Sequence, residues 1–233
     1  MTNTTATNEF YSAKYLLLFT MLFMTLLLAG TVLARKIVGI GWLTLPASTM
    51  LLAGSYALGD IITEVYGYTI MRQLIWFSVI CGYVFSVLIE LVKYLPSPSY
   101  WHFQHEFNTV FSITFLFTTV GSIGILIGAL LNSYAISKWK ILLCGKRFWL
   151  RSLLASCVGE TCHVLVAYPI LFWSTVPAQE MPKLMISGVL YRIFCSSFAT
   201  IPASIIVSWL KRAEGIDTYD YKTNFNPFKL KTN

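Results

Sequence analysis

DIITEVYGY, at Asp60–Tyr68, is the most informative segment of the chain. It follows an uncharged run over residues 37–59 and precedes Arg72, so it lies at one end of a hydrophobic helix. On a helix, Asp60 and Glu64 share one face, with their Cβ atoms about 6 Å apart. An ionisable side chain at membrane depth is costly and usually faces the protein interior, a water-filled cavity or a ligand. The alternative is that the two acids cap the helix at the water boundary.

The chain around this stretch is too apolar for a soluble domain. Of its 233 residues, 56% are hydrophobic and 12% are charged, and a soluble domain carries about twice that charged share. This composition is typical of a polytopic membrane protein. Residues 1–12 are polar and contain no Lys or Arg, so we expect the first apolar run to be a retained span and not a cleaved signal peptide.

A membrane-spanning helix needs about 20 mostly apolar residues. Such spans are predicted over residues 15–34, 45–62, 73–94, a part of 107–137, 152–173 and 184–210. The predicted fold class is therefore all-α, a polytopic membrane protein with six transmembrane helices. The predicted organisation is a polar N-terminal segment over residues 1–14, one transmembrane domain over residues 15–210, and a C-terminal tail over residues 211–233.

The distribution of Lys and Arg predicts the orientation. If the N-terminus is cytoplasmic, the cytoplasmic side receives most of the basic residues, and the other side receives Arg35, Lys36, Lys93 and Lys183. This asymmetry follows the positive-inside rule, so both termini are predicted to be cytoplasmic. Lys36, at the outer end of the first span, either reaches the lipid headgroups or points into a cavity.

Charge and cysteine content argue against several other classes of protein. The net charge is +7, but the basic residues lie in short loops beside apolar runs, as membrane orientation requires, so we predict no nucleic-acid partner. The five cysteines have no metal-site spacing with a supporting histidine and imply no disulfide framework. No Gly-rich phosphate loop is present, so we predict no ATP hydrolysis by that route. Glu160, Cys162 and His163 do not share one helical face, so we predict no metal site, and we predict no cofactor.

Two ionisable residues are predicted to lie near the middle of the membrane. Glu160 falls about 13 Å into the fifth span and Arg192 about 12 Å into the sixth, which is entered from the opposite side. We hypothesise that Glu160 and Arg192 form a pair or share a ligand between them. The alternative is a salt bridge that only offsets the cost of burial. His163 lies on the same face as Glu160 and is a candidate to tune its charge or to donate to a ligand.

Aromatic and glycine residues add two further expectations. Tyrosines in the spans could stack on a flat heterocycle, although aromatic residues in membrane helices are mostly packing residues and interface anchors. Gly124 and Gly128 form a G-x-x-x-G face that lets a second helix approach closely. That second helix lies in the same chain or, if the protein is a homodimer, in the partner.

Three motifs in order resemble one family. They are DIITEVYGY at Asp60–Tyr68, GKRFWLR at Gly145–Arg151, and a tail motif made of EGIDTYD at Glu214–Asp220 and NFNPF at Asn224–Phe228. Together they resemble the queuosine precursor transporters of the vitamin uptake transporter family. The resemblance implies import of 7-cyano-7-deazaguanine and 7-aminomethyl-7-deazaguanine across the bacterial inner membrane for tRNA modification. Family members often carry a carboxylate where His163 stands and an Asn where Thr31 stands, so the chain departs from the family there.

The implied substrate suits the buried charges. A deazaguanine offers N1–H and an exocyclic amine to one carboxylate, and its O6 accepts from Arg or Lys. Glu160 would accept from N1–H and the amine, and Arg192 would donate to O6. Asp60 and Glu64 would suit the aminomethyl cation or a gate. The candidate substrate-binding residues are Glu160, Arg192, Asp60, Glu64, His163, Lys36 and Tyr66.

Two rival functions remain open from the sequence. A small basic chain with six helices also suits the substrate-binding membrane subunit of an energy-coupling-factor importer, which depends on an ATPase partner. An intramembrane enzyme could use Glu160 and His163 as acid and base, but a nucleophile or metal set is lacking, so we predict that the protein is not an enzyme. The predicted partners are a 7-deazapurine and the lipid bilayer, with a homodimer as a further possibility.

Overall fold

Apolar helices make up most of the protein, whose computed structural model describes residues 13–229. The elements are α1 (Leu16–Leu33), β1 (Ile37–Ile40), β2 (Leu43–Pro46), α2 (Ser48–Tyr66), α3 (Tyr68–Lys93), α4 (Gln104–Phe111), α5 (Thr114–Leu142), α6 (Phe148–Phe172) and α7 (Met181–Glu214). Five candidate spans, formed by α1, α3, α4 with α5, α6 and α7, are long and apolar enough to cross a membrane. The predicted all-α polytopic membrane fold is confirmed. Most of the predicted N-terminal segment lies outside the described residues.

Helix α2 occupies the centre of the bundle. Its neighbours are α1, α3, α5, α6 and α7, and thirteen of its nineteen residues are buried. Because other helices shield it, α2 can carry Asp60 and Glu64 without exposing them to lipid. It corresponds to the predicted span over residues 45–62, and it is not among the five helices that meet the length and hydropathy requirements for a span. The count of six spans therefore stays a prediction at this helix.

A β-hairpin precedes α2, where the sequence had predicted the start of a helix. β1 and β2 pair antiparallel, from Ile37 opposite Pro46 to Ile40 opposite Leu43. Gly41 lies in the connecting turn with φ +60°, a conformation that glycine adopts without strain. The prediction that the helix begins at residue 45 is wrong, because a short apolar run is equally compatible with a strand and a helix.

The helices run back and forth between two ends of the bundle. The hairpin end contains the β-hairpin, and the tail end contains the C-terminal tail, residues 215–229. Near the first and last residues of the bundle, the backbone N–H of Tyr15 donates to Glu214 Oε1 at 2.7 Å. At the hairpin end, Arg35 Nη1 donates to the carbonyl of Thr109 and to Ser112 Oγ, both at 2.6 Å. Which end faces the cytoplasm stays a prediction.

Helices α5 and α6 make a close backbone contact. A Cβ added at Gly128 would lie 2.6 Å from the Gly159 carbonyl, and one added at Gly159 would lie 2.5 Å from the Gly128 carbonyl. A Cβ at Gly124 would lie 3.1 Å from the His163 ring. The G-x-x-x-G face therefore packs within the chain. Of the two alternatives, a partner helix in the same chain is confirmed, because α6 covers this face. A homodimer through another face stays a prediction.

Candidate functional site

The central cluster consists of Glu160 and His163 on α6 and Arg192 on α7, together with their neighbours Tyr168 and Ser196. Glu160 is the middle residue of α6, with Phe148 and Phe172 at equal sequence distance. Glu160 and Arg192 are 1% and 0% exposed, and the Arg192 guanidinium is near enough to Glu160 to act on its charge. The packing of α6 against α7 thus brings Glu160 and Arg192 together deep inside the bundle.

Glu160 and Arg192 do not form the direct salt bridge that the sequence had suggested as one possibility. Ser196 Oγ donates to Glu160 Oε1 at 2.7 Å, while Glu160 Oε2 has no hydrogen-bond partner. Arg192 Nε, Nη1 and Nη2 are also buried without a partner. An unpaired buried polar group costs roughly 1–3 kcal/mol, and more when it is charged. The other possibility, a ligand shared between the two side chains, would satisfy these atoms.

The side chains around Arg192 complete a polar, aromatic surface. The Tyr168 ring lies beneath the guanidinium, with 5.9 Å between Cζ and the ring centroid, and Tyr168 Oη is hydrogen-bonded to Thr49 Oγ1 at 2.6 Å. His163 Nδ1 and Tyr56 Oη are buried without partners. The cluster therefore offers an acceptor, several donors and aromatic rings around one point.

A cavity of about 50 Å³ runs from the central cluster towards the hairpin end. His163, Tyr168 and Arg192 line it on the cluster side, and Ala34 and Pro46 line it on the hairpin side. This volume can hold water, but it is well below the roughly 300–1,000 Å³ of small-molecule sites. A heterocycle would therefore bind only after the surrounding helices move apart.

The Asp60 pocket, made of Asp60, Asn132, Ser152 and Ser156, lies next to the central cluster. Asp60 accepts hydrogen bonds from Asn132 Nδ2 at 2.5 Å, from Ser152 Oγ, and from Ser156 Oγ at 3.2 Å. Among the described residues, no Lys, Arg or His forms an ion pair with Asp60. The Asp60 carboxylate is 1% exposed and is held by neutral donors alone.

The ion network, made of Glu64, Lys140, Arg151, Lys211 and Asp217, lies at the tail end. Arg151 Nη1 and Nη2 donate to the two oxygens of Glu64 at 2.8 and 3.1 Å, and Lys211 Nζ donates to Glu64 Oε1 at 2.8 Å. Lys140 Nζ donates to the Glu64 carbonyl at 2.5 Å and to Asp217 Oδ1 at 2.6 Å. The network joins α2, α5, α6, α7 and the tail through paired charges.

Asp217 is the member of this network that belongs to the tail. Partial burial acts to raise the pKa of Asp217, but hydrogen bonds from Lys140 and Lys211 outweigh it and hold the pKa below its ordinary value. A lowered pKa means that the charged carboxylate stabilises the docked tail at neutral pH. This contribution would be lost only as the pH falls through the lowered pKa.

The rest of the tail packs across α3 and α5. Asp220 accepts from the Tyr68 backbone N–H at 2.9 Å and from Ser137 Oγ at 2.6 Å. Arg72 Nη1 donates to the carbonyls of Asn224 and Asn226 at 2.7 and 2.8 Å. The three sequence motifs around Asp60–Tyr68, Gly145–Arg151 and the tail therefore meet in one place, at the tail end.

The predicted site residues fall into three separate regions. Glu160, His163 and Arg192 lie together, and Asp60 adjoins them. Glu64 belongs to the ion network, and Tyr66 lies beside Glu214 at the tail end. Lys36 is exposed at the base of the hairpin, so the suggestion that it points into a cavity is wrong, because its backbone belongs to the turn that leads into β1 and its side chain faces outwards.

Several site residues were missed although the sequence contained a signal for them. Ser152, Ser156 and Glu160 are spaced four apart on α6, which places them on one face. Asn132 follows Gly128 by four on α5 and meets that face. A search for polar residues at this spacing would have found the Asp60 pocket. The described residues contain no group of three or more His, Cys, Asp and Glu side chains placed to hold a metal ion.

Apolar helices around a buried and partly unpaired polar site define a multi-pass membrane protein with a polar interior. A family model described as "Putative vitamin uptake transporter" matches residues 46–207, from the end of β2 into α7. The chain belongs to this vitamin uptake transporter family. The matched region includes the DIITEVYGY and GKRFWLR motifs, and the tail motif lies beyond it. Comparisons with curated proteins and with solved structures found no match.

Proposed function

We propose that this transporter imports queuosine precursors, 7-cyano-7-deazaguanine or 7-aminomethyl-7-deazaguanine, across the bacterial inner membrane for tRNA modification. Membership of the vitamin uptake transporter family supports the transport role. The observation that carries the substrate proposal is that Glu160 Oε2 and the neighbouring Arg192 guanidinium are both buried and both lack a hydrogen-bond partner. The motif resemblance supports the particular substrate class.

The edge of a deazaguanine matches these free groups. Its N1–H and exocyclic amine are adjacent donors that suit the Glu160 carboxylate, and its O6 suits a donor such as Arg192. Glu160 Oε1 keeps a lone pair beside the Ser196 bond, so both carboxylate oxygens can accept from the base. The Tyr168 ring offers an aromatic face on which a flat heterocycle can stack.

His163 lies beside this binding edge and supplies a further polar atom, the unpaired Nδ1. Where relatives often carry a carboxylate, a histidine changes the charge next to the base. We propose that His163 influences which precursor is preferred, with the nitrile of 7-cyano-7-deazaguanine favoured because it needs no second acid. Asp60, which adjoins the cluster, would suit the aminomethyl cation of the other precursor.

The two ends of the bundle differ as alternating access requires: one is reached by a cavity and the other is closed. The cavity leads from Arg192 towards the hairpin end, whereas paired charges close the tail end. We propose that the ion network around Glu64 is the gate on the tail side, and that it opens when the occupied site faces that side. In the predicted orientation this side is the cytoplasm.

Precursor import can be tested by restoration of queuosine in tRNA. The host strain would lack precursor synthesis and its own importer, and the cells would receive 7-cyano-7-deazaguanine. We expect the wild-type chain to restore queuosine and Glu160→Gln to abolish restoration at equal membrane abundance. Glu90→Gln is the matched control, because Glu90 pairs only with Lys93, three residues along the surface of α3, and we expect it to keep full restoration.

Two outcomes would contradict the proposal. Restoration by Glu160→Gln at the wild-type rate would remove Glu160 from the binding site. No restoration by the wild-type chain, despite insertion in the membrane, would argue against deazaguanine import by this chain alone. Restoration that appears only after ATPase subunits are supplied, together with co-purification of the protein with those subunits, would instead indicate the substrate-binding subunit of an energy-coupling-factor importer.

A further inference from the structure

The buried charge of the Asp60 carboxylate is not balanced when the site is empty or holds 7-cyano-7-deazaguanine, which has no cationic group. Asp60 is 1% exposed, lies between helices of a membrane bundle, and forms no ion pair among the described residues. Glu64, one turn away on the same helix, has three cationic side chains within ion-pair distance. The two acids of one motif therefore differ in that only Glu64 has a compensating positive charge.

The neighbours of Asp60 all act as hydrogen-bond donors. Asn132 Nδ2, Ser152 Oγ and Ser156 Oγ each donate to the carboxylate. Three donated hydrogen bonds favour the ionised form of a carboxyl group, and a buried anion requires a compensating positive charge. A serine hydroxyl can accept a proton carried by Asp60, but such a proton would leave the buried Asn132 Oδ1 without a partner, whereas a cation can bind that oxygen. This arrangement favours a bound cation over a bound proton.

The same residues supply a set of hard oxygen ligands. The Asp60 carboxylate, two serine hydroxyls and the Asn132 amide oxygen come together from α2, α5 and α6. Asn132 Oδ1 is buried and has no hydrogen-bond partner, so an amide oxygen is free at this point. Hard cations prefer carboxylate, carbonyl and hydroxyl oxygens, and one carboxylate balances the charge of a monovalent ion. The absence of His and Cys ligands excludes a zinc-type site.

We infer that the Asp60 pocket binds a small alkali cation, with Na⁺ as the probe ion, through oxygens of Asp60, Asn132, Ser152 and Ser156. Cation entry would replace the present hydrogen bonds, since hydroxyl and amide groups turn about their χ bonds to present lone pairs. Ser156 lies four residues before Glu160 on α6, about 6 Å along the helix axis. This closeness links the cation to the proposed base site and, resting on the proposed function, makes the ion a co-substrate of precursor import.

The cation site can be tested without any deazaguanine. Purified full-length protein in detergent would be unfolded thermally, with Trp fluorescence as the signal, in NaCl, KCl or choline chloride at equal ionic strength. We expect NaCl to raise the Tm over choline chloride, by on the order of 3–6 °C when Na⁺ is in about tenfold excess over its Kd. Because the assay contains no substrate, a wrong choice of substrate would not affect its result.

Three variants test whether the Na⁺-induced rise in Tm depends on the Asp60 pocket. Asp60→Asn keeps the side-chain shape but removes the charge, and we expect it to abolish the Na⁺ shift. Ser156→Ala keeps the carboxylate and removes one ligand, so it should reduce the shift even if Asp60→Asn fails to fold. Ser197→Ala is the matched control, because the Ser197 hydroxyl bonds only to its own helix, at the Ile193 carbonyl, and it should keep the full shift.

Three results would overturn the cation site. The first is an equal Tm in all three salts, and the second is a Na⁺ shift that survives both Asp60→Asn and Ser156→Ala. The third is a Tm that follows pH in every salt and loses this dependence in Asp60→Asn, which would assign a proton to the pocket. A Na⁺ shift combined with precursor uptake that is equal in NaCl and choline chloride would keep the site and overturn its role as co-substrate.

Discussion

The bundle contains two buried charged regions that solve the burial problem in opposite ways. In the ion network, Glu64 binds Arg151 through two hydrogen bonds and binds Lys211 through a third. In the central cluster, Arg192 is equally buried, and its three guanidinium nitrogens have no partner. The paired charges join the helices and the tail, whereas the unpaired charges have no such role in the fold. The comparison therefore separates residues that hold the tail end together from residues that we propose bind the substrate.

The largest expected effect comes from breaking the ion network. Arg151→Ala would leave Glu64 buried with only part of its compensating charge, and removal of one partner of a buried pair costs about 3–5 kcal/mol. We expect the Tm of the purified protein to fall sharply. Arg212→Ala, at an exposed position beside Lys211, is the matched control and should change the Tm little. Equal losses in the two variants would show that the network does not stabilise the bundle.

The docking of the tail on the α2–α3 junction can be tested with a pair of glycines. Gly67 has φ +89°, and an added Cβ would lie 2.8 Å from Thr218 Cγ2 in the tail. Gly215 has φ +69° and nothing within 4 Å of an added Cβ. Both alanine variants therefore carry backbone strain, but only Gly67→Ala displaces the tail. We expect a loss of about 2–3 kcal/mol for Gly67→Ala and about 1 kcal/mol for Gly215→Ala.

Limited proteolysis would report on the tail directly. Gly67→Ala should make the tail more sensitive to protease than either wild type or Gly215→Ala. Tail cleavage at the same rate in all three proteins would show that tail docking does not depend on the space at Gly67.

The contact between α5 and α6 supports both regions, and it predicts a smaller effect. At Gly128, an added Cβ would meet the Gly159 carbonyl at 2.6 Å, whereas at Gly121 it would meet nothing within 4 Å. Gly128→Ala should therefore push the helices apart and cost about 1–2 kcal/mol, while Gly121→Ala should be neutral or slightly stabilising. Thermal unfolding of both variants measures these changes in stability. A change in the oligomeric state of Gly128→Ala without a change in its Tm would show that the glycine face is a dimer interface.

The smallest expected effect concerns the exposed member of the network. The Asp217 side chain is 42% exposed, so solvent screens its ion pairs, and Asp217→Asn should cost less than about 1 kcal/mol at pH 7. Because the pKa of Asp217 is lowered, the difference from wild type should persist at neutral pH. It should shrink as the pH falls below the ordinary value of 3.8. Tm measurements of both proteins across this range would check the sign, and a difference that grows in acid would contradict it.

The sequence predicted the helices and the buried acids well, because long apolar runs reveal spans and a charge within them is conspicuous. It did not predict the ion network. Lys140 and Arg151 lie beside apolar runs, where basic residues are typical of the cytoplasmic membrane surface, yet they are 2% and 1% exposed. Their partner Glu64 is 76 to 87 residues away in the chain, and a single sequence shows charges without showing which of them meet. The unpaired state of Arg192 likewise depends on packing that no local pattern encodes.

We propose that the charges of the central cluster serve to bind a ligand and do not stabilise the fold. The most direct test is the Tm of ligand-free Arg192→Gln, measured beside queuosine restoration by the same variant. Removal of an unpaired buried charge should leave the Tm at or above the wild-type value, while restoration is lost. A Tm that falls as far as that of Arg151→Ala, or restoration that persists, would contradict the claim and make Arg192 a structural residue.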